Sequence, residues 1–151
     1  TNYTQYRLIG AIVRQAGVIR QFLQDGNKYY WKTPAADHAA VNPGTAAVTR
    51  TLTVPIGLRT RALINVGFAA TTAADCPGAC YVRDLSLTDI APTAAAGTSM
   101  SFASTAVGNF SGSAPTTVMT NTSGQVRSRI QISAAGTTLF IVTNGFEIID
   151  L

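Results

Sequence analysis

From Gln125 to Ser133 the chain alternates. Val126, Ser128, Ile130 and Ile132 fall on one side, and Gln125, Arg127, Arg129 and Gln131 on the other. A period of two marks a β-strand with one dry and one wet face. Ser123-Gly124 ahead of it is a turn signal, so 117–120 is expected to be its hairpin partner. The run from Thr137 to Thr143 is apolar on both faces, as a central strand should be. Asn144-Gly145, a strong hairpin signal because both residues tolerate positive φ, then leads into a strand over 146–151. The last third therefore reads as a β-meander.

The earlier chain carries the same signals. Leu52, Val54 and Ile56 alternate with Thr51, Thr53 and Pro55, and the proline places that strand at an edge or an end. Further strands are expected over 61–70 and 81–88, joined through a tight loop at Cys76-Pro77-Gly78-Ala79-Cys80. At the front, strands over 6–13, 18–23 and 28–32 make two hairpins, turning at Gln15-Ala16-Gly17 and Asp25-Gly26-Asn27. The alanine-rich pieces 35–47 and 91–96 are interrupted by Pro43, Gly44 and Pro92 and flanked by Pro34 and Gly97, so they read as long connections and helix is nearly absent. Many short strands without βα alternation predict an all-β fold, an antiparallel β-sandwich or jelly roll. No charge block or linker divides the chain, so 1–151 reads as one domain, with 1–33 a semi-separate hairpin segment ahead of the sandwich.

Composition sharpens this picture. Hydrophobic residues make up 46% of 151 residues, enough for a core and too many for a disordered chain. Charged residues make up only 12%, about half the usual share. A surface dressed in Thr, Ser, Asn, Gln, Ala and Gly is easily desolvated, which suits packing against copies of itself or other subunits. The formal charge of +4 comes from eleven basic residues spread singly and from scarce carboxylates, Glu147 being the only glutamate. A nucleic-acid footprint clusters its cations on one face, so no nucleic-acid partner is expected. No stretch reaches the ~18 apolar residues of a membrane span, so no membrane insertion is expected. The first residues lack the charged and apolar regions of a signal peptide, so synthesis in a cytoplasm is expected.

Candidate chemistry is thin. His38 is the single histidine, beside Asp37, and reads as a loop pair rather than an oriented general base. Asp75, Asp84, Asp89 and Asp150 could supply paired carboxylates, but nothing in the sequence brings two together, and turn capping is the simpler role. Neither a zinc-ligand spacing, a phosphate loop nor a nucleophile elbow occurs, so no catalytic residue, metal or cofactor is assigned. Cys76 and Cys80 flank a Pro-Gly turn that could bring them within disulfide reach. A loop this short would gain about 1–3 kcal/mol on chain-entropy grounds, and two buried thiols are the alternative. Tyr29-Tyr30-Trp31 is the only aromatic cluster, with Tyr29 and Trp31 on one side and Tyr30 on the other. These rings could stack on a glycan, but core or subunit-interface packing beside Phe22 is the first expectation.

Three stretches carry a resemblance. They are Tyr6-Arg7-Leu8-Ile9-Gly10-Ala11-Ile12 running on to Gly17–Phe22 and Asp25–Trp31; Tyr81–Thr88; and Thr120–Arg127 leading to Gly136–Phe146. Together they resemble a small β-sandwich domain of bacteriophage and prophage structural proteins, often found at the end of tail-fibre-like chains. That family commonly has Trp after the Asn-Gly-like turn, where this chain has Phe146. The resemblance covers most of the chain, contains no residue-level functional motif and implies a virion structural role. Without a fibre stalk, a capsid decoration or short head-fibre protein is also expected. The implied partners are the chain itself as a homo-oligomer, a trimer foremost, other capsid or tail proteins, and a host surface glycan. A free carbohydrate-binding, lectin-like module is the alternative reading, and the expected location is the virion.

Overall fold

The computed structural model describes residues 10–76, 78–95, 100–101 and 110–149. In chain order the strands are β1 (Arg14–Gln15), β2 (Val18–Ile19), β3 (Phe22–Asp25), β4 (Lys28–Val41), β5 (Val48–Thr51), β6 (Thr60–Ala70), β7 (Ala79–Arg83), β8 (Met100–Ser101), β9 (Phe110–Met119), β10 (Gln125–Ile130) and β11 (Thr138–Ile148). One 3-10 turn, Ala73–Asp75, is the only helical element among the described residues. All pairings are antiparallel. The larger sheet runs β3-β4-β11-β6-β9 and the smaller β5-β10-β7-β8, while β1 and β2 form a separate hairpin. The fold is the expected all-β sandwich.

The alternation is realised from Gln125 to Ile130, where Val126, Ser128 and Ile130 are buried and Gln125, Arg127 and Arg129 lie outside; the strand stops there, and Ile132, read onto the dry face, is exposed. Val126 and Ile130 meet Leu139, Ile141, Phe146 and Ile148 of β11 and Ala62, Ile64 and Val66 of β6 in one core. Phe22, Tyr29 and Trp31 pack into that same core, and β3 and β4 pair into the larger sheet. The front of the chain, from Phe22 on, is therefore built into the sandwich.

Tertiary context overrode local signals at several places. Asn144-Gly145 is not a turn: β11 runs straight through it, and neither residue takes positive φ. The pairing slips there, and a Cβ on Gly145 would sit 2.0 Å from the Tyr29 carbonyl oxygen. The glycine is needed for close approach of two backbones at a β-bulge, not for turning the chain. The meander is also corrected. β9 pairs with β6, β10 with β5 and β7, and β11 with β4 and β6, so 117–120 is no hairpin partner of β10. The 121–124 turn instead carries the chain from one sheet to the other. Asn121 Oδ1 accepts from the Ser123 and Gln125 amides, and Gly124 takes φ +69° against Val54 and Leu52.

The segment read as a connection over 35–47 is strand as far as Val41. Pro34 falls where β4 and β11 jump register between Tyr30 and Ala35, so its missing N–H costs no rung of that ladder. The strand read over 51–56 lies earlier, at Val48–Thr51; Leu52 and Val54 are buried from a loop. The strand read over 81–88 ends at Arg83, where Asp84 Oδ1 accepts the Ser86 amide and turns the chain. The first hairpin turns where expected, with Ala16 and Gly17 both at positive φ, but its strands are Arg14–Gln15 and Val18–Ile19, and 10–13, read as strand, are not; Gly26 (φ +59°) opens the second. Residues 91–95 form no strand, as expected, whereas 6–9 and 150–151 lie outside the described residues.

Candidate functional site

The aromatic cluster divides by strand parity. Tyr29 (1% exposed) and Trp31 (5%) point between the sheets, and only Tyr30 reaches the surface. Tyr29 stacks on Phe146 with ring centroids 4.7 Å apart and planes 2° apart, and Phe22 meets Tyr29 edge-on at 5.3 Å. Trp31 leans on Phe146 at 5.3 Å, donates its indole N–H to the Thr53 carbonyl at 3.1 Å and carries the Arg20 guanidinium over its ring. Tyr29 and Trp31 are thus core side chains, with no free face for a sugar.

The titratable residues are spread through the fold and committed to structural tasks. His38 lies half-buried on β4; burial, then the nearby Arg50 charge, lowers its pKa. Asp37 does not orient it. Asp37 is the extra residue at a register slip of β4 and points at the neighbouring loop. Its carboxylate accepts the Thr53 amide (2.8 Å), the Thr53 hydroxyl (2.5 Å) and the Thr143 hydroxyl (2.5 Å). Asp75 accepts from Thr71 and Thr72 hydroxyls, which hold its carboxyl below the ordinary range. Asp84 pairs with Arg59 at 2.6 Å. Asp89 accepts from the Tyr81 hydroxyl and from Arg129, while burial, followed by that carboxylate, pushes Tyr81 up to about 12. Asp150 lies outside the described residues. Among the described residues, no group of three or more His, Cys, Asp or Glu is placed to hold a metal ion.

Cys76 and Cys80 are both buried, Cys76 after the 3-10 turn and Cys80 in β7; Pro77 lies outside the described residues. Burial pushes the Cys80 thiol up to about 11. At pH 8 only about one molecule in a thousand would hold it as the reactive thiolate. Iodoacetamide at pH 8 is therefore expected to leave Cys80 unlabelled in the folded chain and to label it after denaturation with reductant, read by intact mass. Rapid labelling of Cys80 in the native chain would contradict this.

The two outer faces differ in kind. On the smaller sheet, the loop after β7 folds back over Tyr81 and is held by arginines. Arg127 donates to the Leu87 and Leu85 carbonyls, and Arg129 to the Thr45 carbonyl and Asp89. These cations are engaged within the chain. On the larger sheet, cross-strand register sets the outer residues in rows. Lys28, Glu147, Arg61 and Met119 form the charged end row, with Arg61 and Glu147 paired at 2.7 Å. Beyond it come Tyr30, Gly145, Leu63 and Thr117; then Ala36, Val142, Asn65 and Pro115; then Ala39, Phe140, Gly67 and Ser113. Those last three rows contain no ionisable group except the Tyr30 phenol.

Along these rows a shallow groove of about 500 Å³ lies between Phe140 and Val142 on one side and residues 111–113 on the other, floored by Gly67 and Asn65. A second hollow of about 330 Å³, lined by Tyr30, Leu63, Pro115 and Asn144, lies further along the same face. Sequence reading missed this place because Phe140 sits in a run that is apolar on both faces, which hides which ring faces water. The remaining signal was the small residues opposite it, Gly67 and Ser113, which only register brings to its side.

The opposite margin exposes large aliphatics among polar residues such as Arg14, Gln15 and Gln24. Ile12 (62% exposed), Val18 (69%), Ile19 (54%) and Leu23 (68%) stand out from the β1–β2 hairpin, the segment leading into it and the edge strand β3. Compared with known proteins, the sequence matches no family model and no curated protein.

Proposed function

We propose that this chain is a non-enzymatic structural subunit of a bacteriophage virion, a β-sandwich of a fibre or capsid-decoration layer that works through contacts between subunits. The observation that carries the reading is the group of exposed aliphatics on and beside the β1–β2 hairpin and the edge strand β3. Single surface leucines are ordinary, but Ile12, Val18, Ile19 and Leu23, all more than half exposed on one hairpin, the segment leading into it and the neighbouring edge strand, suit a surface that another subunit covers. The low charge of the chain, 12%, lowers the desolvation cost of such contacts. The similarity of three sequence stretches to phage structural domains supplies the virion context. The partner at this margin is a second copy of the chain in a closed oligomer, a trimer foremost.

Light scattering on the purified chain tests this. The wild type is expected at an oligomer mass, and Ile19→Asp with Leu23→Asp at the monomer mass with an unchanged far-UV circular dichroism spectrum. Both side chains are exposed, so the charges are tolerated in the monomer and penalised only where the surface is covered. A wild type that stays monomeric at high concentration overturns the assembly reading.

A further inference from the structure

The outer face of the larger sheet carries a second, chemically different surface at the other edge. We infer that the groove between Phe140 and β9 is a binding site for a neutral oligosaccharide, with Phe140 as its stacking platform and Asn65 as its principal polar contact. This goes beyond the assembly role and uses the edge of the sheet opposite the exposed aliphatics.

The depth of the groove comes from one missing side chain. Gly67 lies beside Phe140 in the cross-strand row, and a Cβ there would come within 3.1 Å of the Gly112 carbonyl oxygen and the Ser113 Cβ. Without it, one flank of the Phe140 ring stays open above the sheet, and that ring is 36% exposed. An aromatic face attracts the weakly positive C–H groups that line one side of a pyranose. Around the ring stand groups suited to hydroxyls. Asn65, one row along on the same strand, offers an amide donor and acceptor, and Ser111 and Ser113 offer hydroxyls. None of the side chains of Asn65, Ser111, Ser113 or Asn144 hydrogen-bonds to another described residue, whereas Asn27 and Asn121 are both bonded within the fold.

The charge pattern selects the ligand class. The rows that form the groove carry no ionisable side chain. An acidic glycan, a phosphate backbone or an acidic peptide would find no counter-charge there. The lining sets serine, asparagine and glycine beside Phe140, Phe68 and Val142, so a ligand there meets hydrogen-bonding groups as well as a ring. Length selects an oligosaccharide over a single sugar. Tyr30, 37% exposed on the same face, is aligned with Leu63, four residues along β6 from Gly67, which places it about 13 Å down the face at the usual strand rise. The second hollow lies between the two rings.

The test uses the intact chain and its variants in isothermal titration against maltotriose, cellotriose, mannotriose, chitotriose and trigalacturonate. At least one neutral trisaccharide is expected to bind, and trigalacturonate is expected not to. Phe140→Ala and Asn65→Ala are each expected to weaken binding about tenfold or more, and Gly67→Val, which fills the floor, to abolish it. Phe140 and Asn65 face water, so their variants keep the fold if Gly67→Val does not. Light scattering on the same samples separates this site from the assembly margin: the groove variants should keep the wild-type mass, and Ile19→Asp with Leu23→Asp should keep sugar binding. The inference is overturned if no neutral trisaccharide binds, if Phe140→Ala and Asn65→Ala bind as the wild type does, or if trigalacturonate binds equally well. A fall in oligomer mass on Phe140→Ala would also overturn it, making the groove a subunit contact.

Discussion

Phe146→Ala is expected to destabilise the protein by about 3–5 kcal/mol, the range for deleting a fully buried aromatic ring. Phe146 is fully buried, stacked flat on Tyr29 at 4.7 Å and within 5.3 Å of Trp31. Removing its ring leaves Tyr29 and Trp31 facing a void that the bulge beside it holds open, because Gly145 locks β11 against the Tyr29 backbone. The lining cannot collapse freely, which places the cost toward the upper end. For a chain of this size the loss corresponds to a fall in melting temperature of roughly 10–15 °C. The near-UV circular dichroism of Trp31 should change with it. A loss below about 1 kcal/mol in chemical denaturation would mean that the ring cluster does not hold the sheets together.

The second large effect is expected at Asp37. Its carboxylate joins β4, the loop after β5 and β11 through three hydrogen bonds, and one donor, the Thr143 hydroxyl, belongs to a fully buried residue. Asp37→Ala strands these donors, and unmet buried donors together with lost charge-assisted bonds should cost about 3 kcal/mol. Asp37→Asn can keep its oxygen for the Thr53 amide and the Thr143 hydroxyl and donate its N–H₂ to the Thr53 hydroxyl, so it should recover much of the loss, falling short by the charge assistance of the carboxylate. Urea denaturation checks both variants. A lower midpoint at unchanged slope is the expected signature, and midpoints equal to the wild type would mean the bonds contribute nothing net.

These two positions show what was legible in the sequence. The strand character of 125–130, 138–143 and 60–70 was written in alternation and in β-branched residues, because burial of one or both faces leaves that trace. That Tyr29 and Trp31 share a side opposite Tyr30 followed from period two, but which side faces the core did not. Pairing was not legible. Asn144-Gly145 has the local chemistry of a turn, and only the neighbouring Tyr29 carbonyl explains why glycine stands within a continuous strand. Asp37 read only as a loop aspartate beside His38, and its actual partners, Thr53 and Thr143, lie 16 and 106 residues away. The groove suffered most. Phe140, Gly67 and Ser113 become neighbours through two register relations that no local pattern encodes.

The place of β11 in the larger sheet bears on how the chain acquires its structure during synthesis. β11 follows the other strands in chain order, yet it lies between β4 and β6. Until the ribosome has released it, β3–β4 and β6–β9 are two separate ribbons, each with a raw edge waiting for the same partner. Closing the sheet means joining residues as far apart as Asn27 and Glu147, 120 positions along the chain, so the loop-closure entropy comes due all at once at the end. A nascent chain stopped before Thr138 would have lost the strand that holds its two halves together. Where such chains are crowded, those edges would be open to the same strand of a neighbouring polypeptide.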